Sequence, residues 1–122
     1  MPPIRVLVVD DSMVTIQAIS KVLTADPQIQ VVGRALDGAR AIREVERIAP
    51  DVVTMDIIMP EMGGIEAVKK ITSMDPAARI LMCSAMGQQA LVQEALQAGA
   101  RDFVVKPFQP SRVLEAVQRV LA

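Results

Sequence analysis

The chain has 122 residues, with 13 Lys and Arg against 14 Asp and Glu and no His, for a formal charge of -1. That length makes one ordinary domain with enough chain to bury a core, and 52% apolar against 22% charged residues is a globular balance. Near-neutral charge without a basic run excludes the usual electrostatic footprint of nucleic-acid binding, one cysteine excludes an internal disulfide, and the lack of histidine excludes imidazole chemistry in cis and nearly every zinc site.

Short apolar runs alternate along the chain with stretches of helical spacing. Ile4-Arg5-Val6-Leu7-Val8-Val9 is β-branched and nearly continuous, the pattern of a strand buried on both faces. Ser12 can cap the next helix, whose apolar positions Ile16, Ile19 and Leu23 recur at three- and four-residue steps until Asp26-Pro27 ends it. A second strand runs from Ile29 to Ala35, and its interruption by Gly33 and Arg34 places it at a sheet edge. Asp37-Gly38 opens a helix carrying Ile42, Val45 and Ile48, stopped by Pro50. The third strand spans Asp51 to Met55, and Gly63-Gly64 precede a helix with Ile65, Val68 and Ile71. Arg79 to Cys83 forms the fourth strand, followed by a helix marked by Leu91, Ala95 and Leu96 that Gly99 terminates. Phe103-Val104-Val105 is the last strand, and Val113, Leu114, Val117, Val120 and Leu121 give the final helix an apolar stripe.

Strands alternating with helices of about a dozen residues imply right-handed crossovers and a parallel sheet covered on both faces. The expected fold is thus a doubly wound α/β sandwich, one domain over residues 1–122. Such sheets bind ligands beyond the carboxyl ends of their strands. Those ends carry Asp10-Asp11, Asp56, Ser84 and Lys106-Pro107. Taken singly, each has a plain structural use: Asp11 as a helix cap, Asp56 as a turn residue before Pro60, Ser84 as a strand-end hydroxyl, Lys106 as a solvated charge. Taken together, three carboxylates on one rim repel one another, and a cation relieves that cost. Mg²⁺ suits such a set, because it takes one or two carboxylates with waters and phosphate oxygens. Carboxylate, cation, ammonium and hydroxyl around one anion-sized space are the parts of a phosphoryl-transfer site. Neither GxxxxGK[ST] nor GxGxxG occurs, so a nucleotide site is not expected, and a carboxylate is the natural acceptor through an acyl phosphate.

Asp10-Asp11, the run from Asp56 to Gly64, Ser84-Ala85 and Phe103-Val104-Val105-Lys106-Pro107-Phe108 resemble, in that order, the receiver domain of two-component response regulators. The resemblance covers essentially the whole chain. Cys83 to Gln89 and Lys106 to Arg112 look most like free-standing chemotaxis receivers of the CheY type. It implies a (βα)5 flavodoxin-like sandwich with five parallel strands in the order 2-1-3-4-5. It makes Asp56 the phosphoacceptor. Asp11 would bind Mg²⁺ directly and Asp10 through water, with Asp56 and the backbone carbonyl of Ile58 completing the protein ligands. Lys106, Ser84 and Ala85 would receive the phosphoryl group, and the Lys106–Pro107 bond would be cis. Phe103 would be the aromatic switch that turns inward when Ser84 moves, unless it is simply a core residue on an edge strand. The partners implied are a sensor histidine kinase, the flagellar motor switch and a phosphatase, with no nucleic acid and no membrane.

Ile58 and Met86 would flank the attacking water and cannot orient it, so self-dephosphorylation should be slow. Ala85 is small enough to admit donors such as acetyl phosphate. Met59, Met62 and Met86 are expected to crowd the site, and Gln93, Gln97, Arg101, Gln109 and Arg112 to dot the output face. A haloacid-dehalogenase-type phosphatase is the rival among enzymes, but it needs a second Asp two residues after the nucleophile, where this chain has Ile58. Two rivals among non-enzymes are a pseudo-receiver that only binds partners and a receiver belonging to a transcriptional or methylesterase regulator. The chain stops directly after the last helix, which favours a free-standing protein or a piece ending at a domain boundary. Met1-Pro2-Pro3 leads straight into the first strand without the features of a signal peptide, and no apolar run reaches membrane-span length. A cytoplasmic location is therefore expected, with Cys83 as a buried thiol.

Overall fold

A computed structural model describes residues 2–122; Met1, the first residue of the segment read as lacking a signal peptide, lies outside them. The elements in chain order are β1 (Ile4–Val9), α1 (Met13–Thr24), β2 (Ile29–Ala35), α2 (Gly38–Ile48), β3 (Val52–Asp56), α3 (Gly64–Met74), β4 (Ile80–Ser84), α4 (Gln89–Ala98), β5 (Asp102–Val105) and α5 (Pro110–Leu121). All pairings are parallel, in the order β2-β1-β3-β4-β5. The expected doubly wound sandwich is therefore the observed one.

The continuous apolar strands are explained by cores on both faces of the sheet. Leu7, Val9, Val53, Met55, Ile80 and Met82 turn toward α2, α3 and α4, where they pack with Ala41, Val68, Ile71 and Val92. Val6, Val8, Val52, Leu81 and Cys83 turn the other way, onto Ile16, Ile19 and Leu23 of α1 and Val113, Val117 and Val120 of α5. Leu7, Ile71 and Leu81 are fully buried, and truncating any one to Ala would cost about 2–5 kcal/mol.

Ser12 does cap α1, accepting from the Thr15 amide, and Asp37 caps α2 through Arg40 N. β2 is the sheet edge its broken pattern implied. Its pairing with β1 shifts register between Val6 and Leu7, and Leu7 then faces Gly33. A Cβ on Gly33 would come within 2.7 Å of Ile48 Cδ1, so a larger residue here would have to turn the end of that side chain aside.

Two strands lie one residue later than sequence pattern suggested, β3 starting at Val52 instead of Asp51 and β4 at Ile80 instead of Arg79. Asp56 pairs with Cys83, and Ser84 pairs with Val105, so each polar residue is the last rung of its strand. A polar side chain does not stop a backbone ladder. In α2 the deepest residues are Gly38 and Ala41, and Ile42, Val45 and Ile48 are only half-buried. Small residues let this helix approach the sheet, and its larger side chains cover the flank.

Candidate functional site

At the carboxyl end of β1, the Asp10 amide donates to Ala35 O at 3.1 Å, prolonging the pairing toward β2. Its side chain is buried, the residue only 3% exposed, and each oxygen has a partner: Oδ1 accepts from Ser12 N at 2.9 Å and Oδ2 from Lys106 Nζ at 2.9 Å. Asp11, next along, is exposed. Asp56 is buried at the end of β3, two strands from β5, yet Lys106 Nζ reaches its Oδ1 at 3.1 Å. The Lys106 backbone is pinned by its own amide, which donates to Ser84 O at 2.7 Å. The Lys106–Pro107 bond is cis, as the resemblance implied.

One carboxylate oxygen from each of Asp10, Asp11 and Asp56 lies within 4.8 Å of the others. Like charges this close in a partly dry site raise the cost of ionisation. The Asp56 carboxyl is accordingly pushed up from 3.8 to about 6, by burial first and by Asp10 second, against the opposing pull of Lys106. Burial alone would lower the Lys106 ammonium. Its hydrogen bond to Asp10 and the charge of Asp56 outweigh that and hold it above its usual range. A single ammonium facing three carboxylates leaves negative charge to spare. The donor set is all oxygen, which fits a hard divalent cation.

The loop after β3 is held close by glycine. Gly64, the first residue of α3, donates its amide to Ile57 O at 2.7 Å, and a Cβ there would collide with the carbonyl oxygen of Asp56. In the sequence, Gly63-Gly64 marks only a helix start. No periodic signal distinguishes a glycine of close approach from one that merely opens a helix.

Ser84 is buried at the end of β4, with Ala85 exposed just beyond it. The Ala85 amide donates to Gln88 Oε1 at 2.7 Å, a contact that sequence reasoning does not find. Ile58 and Met86 stand on the rim, 58% and 82% exposed. Met59 and Met62 do not crowd the site as expected. They turn into the core beneath α2 and α3, where Met62 lies against Gly38.

Phe103 is 41% exposed, so it is not a core residue. β5 is the outer strand, and its Phe103 lines two surface grooves, one of about 430 Å³ with Gln109 and Arg112, the other of about 260 Å³ with Ser84, Gln88 and Gln93. Arg101 lies at the opposite end of β5 from Lys106, where its guanidinium donates to Ala77 O and Val120 O and ties the base of the fold together. It does not join the groove-lining residues expected to accompany it on the output face. Cys83 is buried, and burial pushes its thiol up to about 12, which leaves it inert.

The family model described as the response regulator receiver domain matches residues 6–118. The chain belongs to the receiver family. A chemotaxis protein CheY of Thermotoga maritima is 52% identical over 116 residues, covering 95% of this chain and 96% of that protein. A protein-glutamate methylesterase/protein-glutamine glutaminase of a Nocardioides species is 46% identical over 122 residues, covering 98% of this chain and 33% of that longer protein. Among solved structures, the CheX–CheY–BeF3–Mg²⁺ complex from Borrelia burgdorferi contains a chain with a TM-score of 0.92 and 36% identity, with 99% of this chain and 91% of that one covered. Receivers of the CheY type are signalling switches and not classical enzymes, and receivers typically use Mg²⁺. Among the described residues, no helix of this receiver is long and apolar enough to cross a membrane.

Proposed function

We propose that residues 1–122 act as one receiver domain that takes a phosphoryl group on Asp56 from a histidine kinase and thereby changes its partner binding. What supports this most is the arrangement around Asp56. Its buried carboxylate lies 3.1 Å from the Lys106 ammonium and within reach of two further acids, with Ser84 at the end of the adjacent strand. In the transfer, a carboxylate oxygen of Asp56 forms a bond to phosphorus. The bond from phosphorus to the donor atom breaks, and the donor keeps the electron pair.

Each neighbour has a part. The Lys106 ammonium, held above its usual range, stays charged and offsets the negative charge building on the phosphoryl oxygens. Ser84 Oγ and the Ala85 amide donate to those oxygens. Asp10, Asp11 and Asp56, with the backbone carbonyl of Ile58, would hold Mg²⁺. When bound, that ion neutralises charge on acceptor and donor and brings them together. The phosphoryl group adds nearly one further negative charge. Ser84 is drawn toward it, Phe103 turns from its half-exposed position into the space beside α4, and the α4, β5 and α5 surface repacks.

By likeness to CheY of Thermotoga maritima, the output is cytoplasmic chemotaxis signalling, with the flagellar motor switch as partner and a phosphatase to end the signal. The Borrelia CheY crystallised with CheX and BeF3–Mg²⁺ supports both the ion and a protein partner. A second reading, the receiver of a methylesterase regulator, is favoured by the 46% identity to the Nocardioides protein.

The test is acetyl-phosphate labelling read by intact-protein mass spectrometry, with and without Mg²⁺, beside Asp56→Asn. One Mg²⁺-dependent adduct that vanishes in the variant is expected. No adduct would favour a pseudo-receiver, and an adduct that survives the substitution would move the acceptor elsewhere.

A further inference from the structure

Between β4 and α4 the chain runs Ala85-Met86-Gly87-Gln88, and a side chain closes this turn. Ala85 N–H donates to Gln88 Oε1 at 2.7 Å, a short and well-formed bond. Gln88 occupies the N-cap position of α4. A Ser, Thr, Asp or Asn there commonly accepts from a first-turn amide of its own helix; the longer Gln88 makes no such bond and turns back onto Ala85. The reversal runs through Gly87, whose φ of +88 lies in the left-handed region, with nothing near its missing Cβ. Gln88 therefore has two sets of donors within one turn of chain: the Ala85 amide behind it and the free amides of α4 ahead of it.

The Ala85 amide has two claimants as well. With Asp56 as the acceptor it donates to a phosphoryl oxygen, and one N–H does not serve two acceptors at full strength. We propose that Gln88 is a latch: its carboxamide holds the Ala85 amide in the unphosphorylated receiver, and a phosphoryl oxygen must displace it. This rests on Asp56 being the acceptor. Displacement frees the Gln88 side chain at the first turn of α4. The state of Asp56 then reaches α4 by a path that needs neither the Ser84 hydroxyl nor the Phe103 ring. Gln88 acts through the Ala85 amide, so it is a positioning residue for the transfer. Its bond must be broken before that amide can serve, which slows acquisition of the phosphoryl group.

Gln88→Met keeps the side-chain length and removes the acceptor. Its rate of labelling on Asp56 by acetyl phosphate with Mg²⁺ is expected to rise roughly two- to tenfold, the weight of one net hydrogen bond. In ¹H–¹⁵N NMR, the Ala85 amide of the unphosphorylated variant should lose its bonded shift and exchange faster with solvent. After saturation with BeF3⁻ and Mg²⁺, variant and parent should coincide at Ala85. An unchanged or lower labelling rate in a folded variant would overturn the latch, as would an unmoved Ala85 amide. The parent alone supplies a check that needs no variant: its Gln88 side-chain amide signals must shift on adding BeF3⁻ and Mg²⁺, and static signals would refute the displacement. Failure of the acceptor reading looks different, because the parent would then show no Mg²⁺-dependent adduct, or one that survives in Asp56→Asn.

Discussion

Replacing Asp56 by Asn should make the metal-free receiver more stable, although it removes half of a buried ion pair. Burial and Asp10 push the Asp56 carboxyl from 3.8 to about 6, and the pull of Lys106 is already counted in that value. Such a rise means that the ionised side chain costs the fold about 3 kcal/mol at any pH above both values. Asn keeps the shape and an oxygen for Lys106 Nζ without the charge, and Lys106 retains its 2.9 Å bond to Asp10. The expected gain at about pH 8 is up to ~3 kcal/mol, or roughly 10 °C in Tm for a domain of this size. The folded state holds the Asp56 proton more tightly than the unfolded chain does. Stability of the parent therefore falls as pH rises from about 4 to about 6, and the full penalty is present above that window. The advantage of Asn should shrink toward zero by about pH 4. Added Mg²⁺ should stabilise the parent more than the variant, because only the parent offers the third carboxylate. Urea unfolding in EDTA across that pH range, repeated with Mg²⁺, measures all three. A variant less stable than the parent at about pH 8, or a gain that does not change with pH, would refute the argument from burial and like charge.

Gly64→Ala should cost about 3 kcal/mol, near the top of the overpacking range, because the atom it would strike is the Asp56 carbonyl and not a side chain free to rotate. It should also slow acetyl-phosphate labelling by shifting the acceptor, and a stability within about 0.5 kcal/mol of the parent would contradict the close approach. Ile58→Asn and Met86→Glu each place a polar group on the open rim and should shorten the lifetime of the phosphorylated protein roughly tenfold, less than a fully positioned general base provides. Decay rates unchanged in both would remove these positions from the hydrolysis step. Ala49 caps α2 with φ 51, a left-handed conformation that costs a residue with a Cβ. Ala49→Gly should therefore raise the urea midpoint by the equivalent of about 0.5–1 kcal/mol, and a lowered midpoint would count against it.

The five strands and five helices were legible because each obeys a local rule. Val6 to Val9 is continuous because both faces of β1 are covered, and Ile16, Ile19 and Leu23 recur because α1 buries one stripe. Ser12 and Asp37 are caps that act within three residues of themselves. The acids, Ser84 and Lys106 were legible as a group because a doubly wound sheet delivers all its strand ends to one rim. Chain order therefore stands in for position, and the site follows from the topology that the alternating pattern implies.

What lay outside the sequence depends on distances between residues far apart in the chain. That Lys106 bridges Asp10 and Asp56, over separations of 96 and 50 residues, follows from β5 lying two strands from β3 and from where the Ser84 carbonyl pins its backbone. That Met59 and Met62 fill the core while Met86 stands exposed was decided by the path of two loops, since all three look alike in composition. The contacts of Gly64 and Gln88 left no mark in the sequence, because one is defined by a carbonyl it must not touch and the other by an amide across a turn. Periodicity and capping are short-range and survive in a linear string. Which charges pair, steric clearance and the choice of a donor between two acceptors are settled only once the chain has closed on itself.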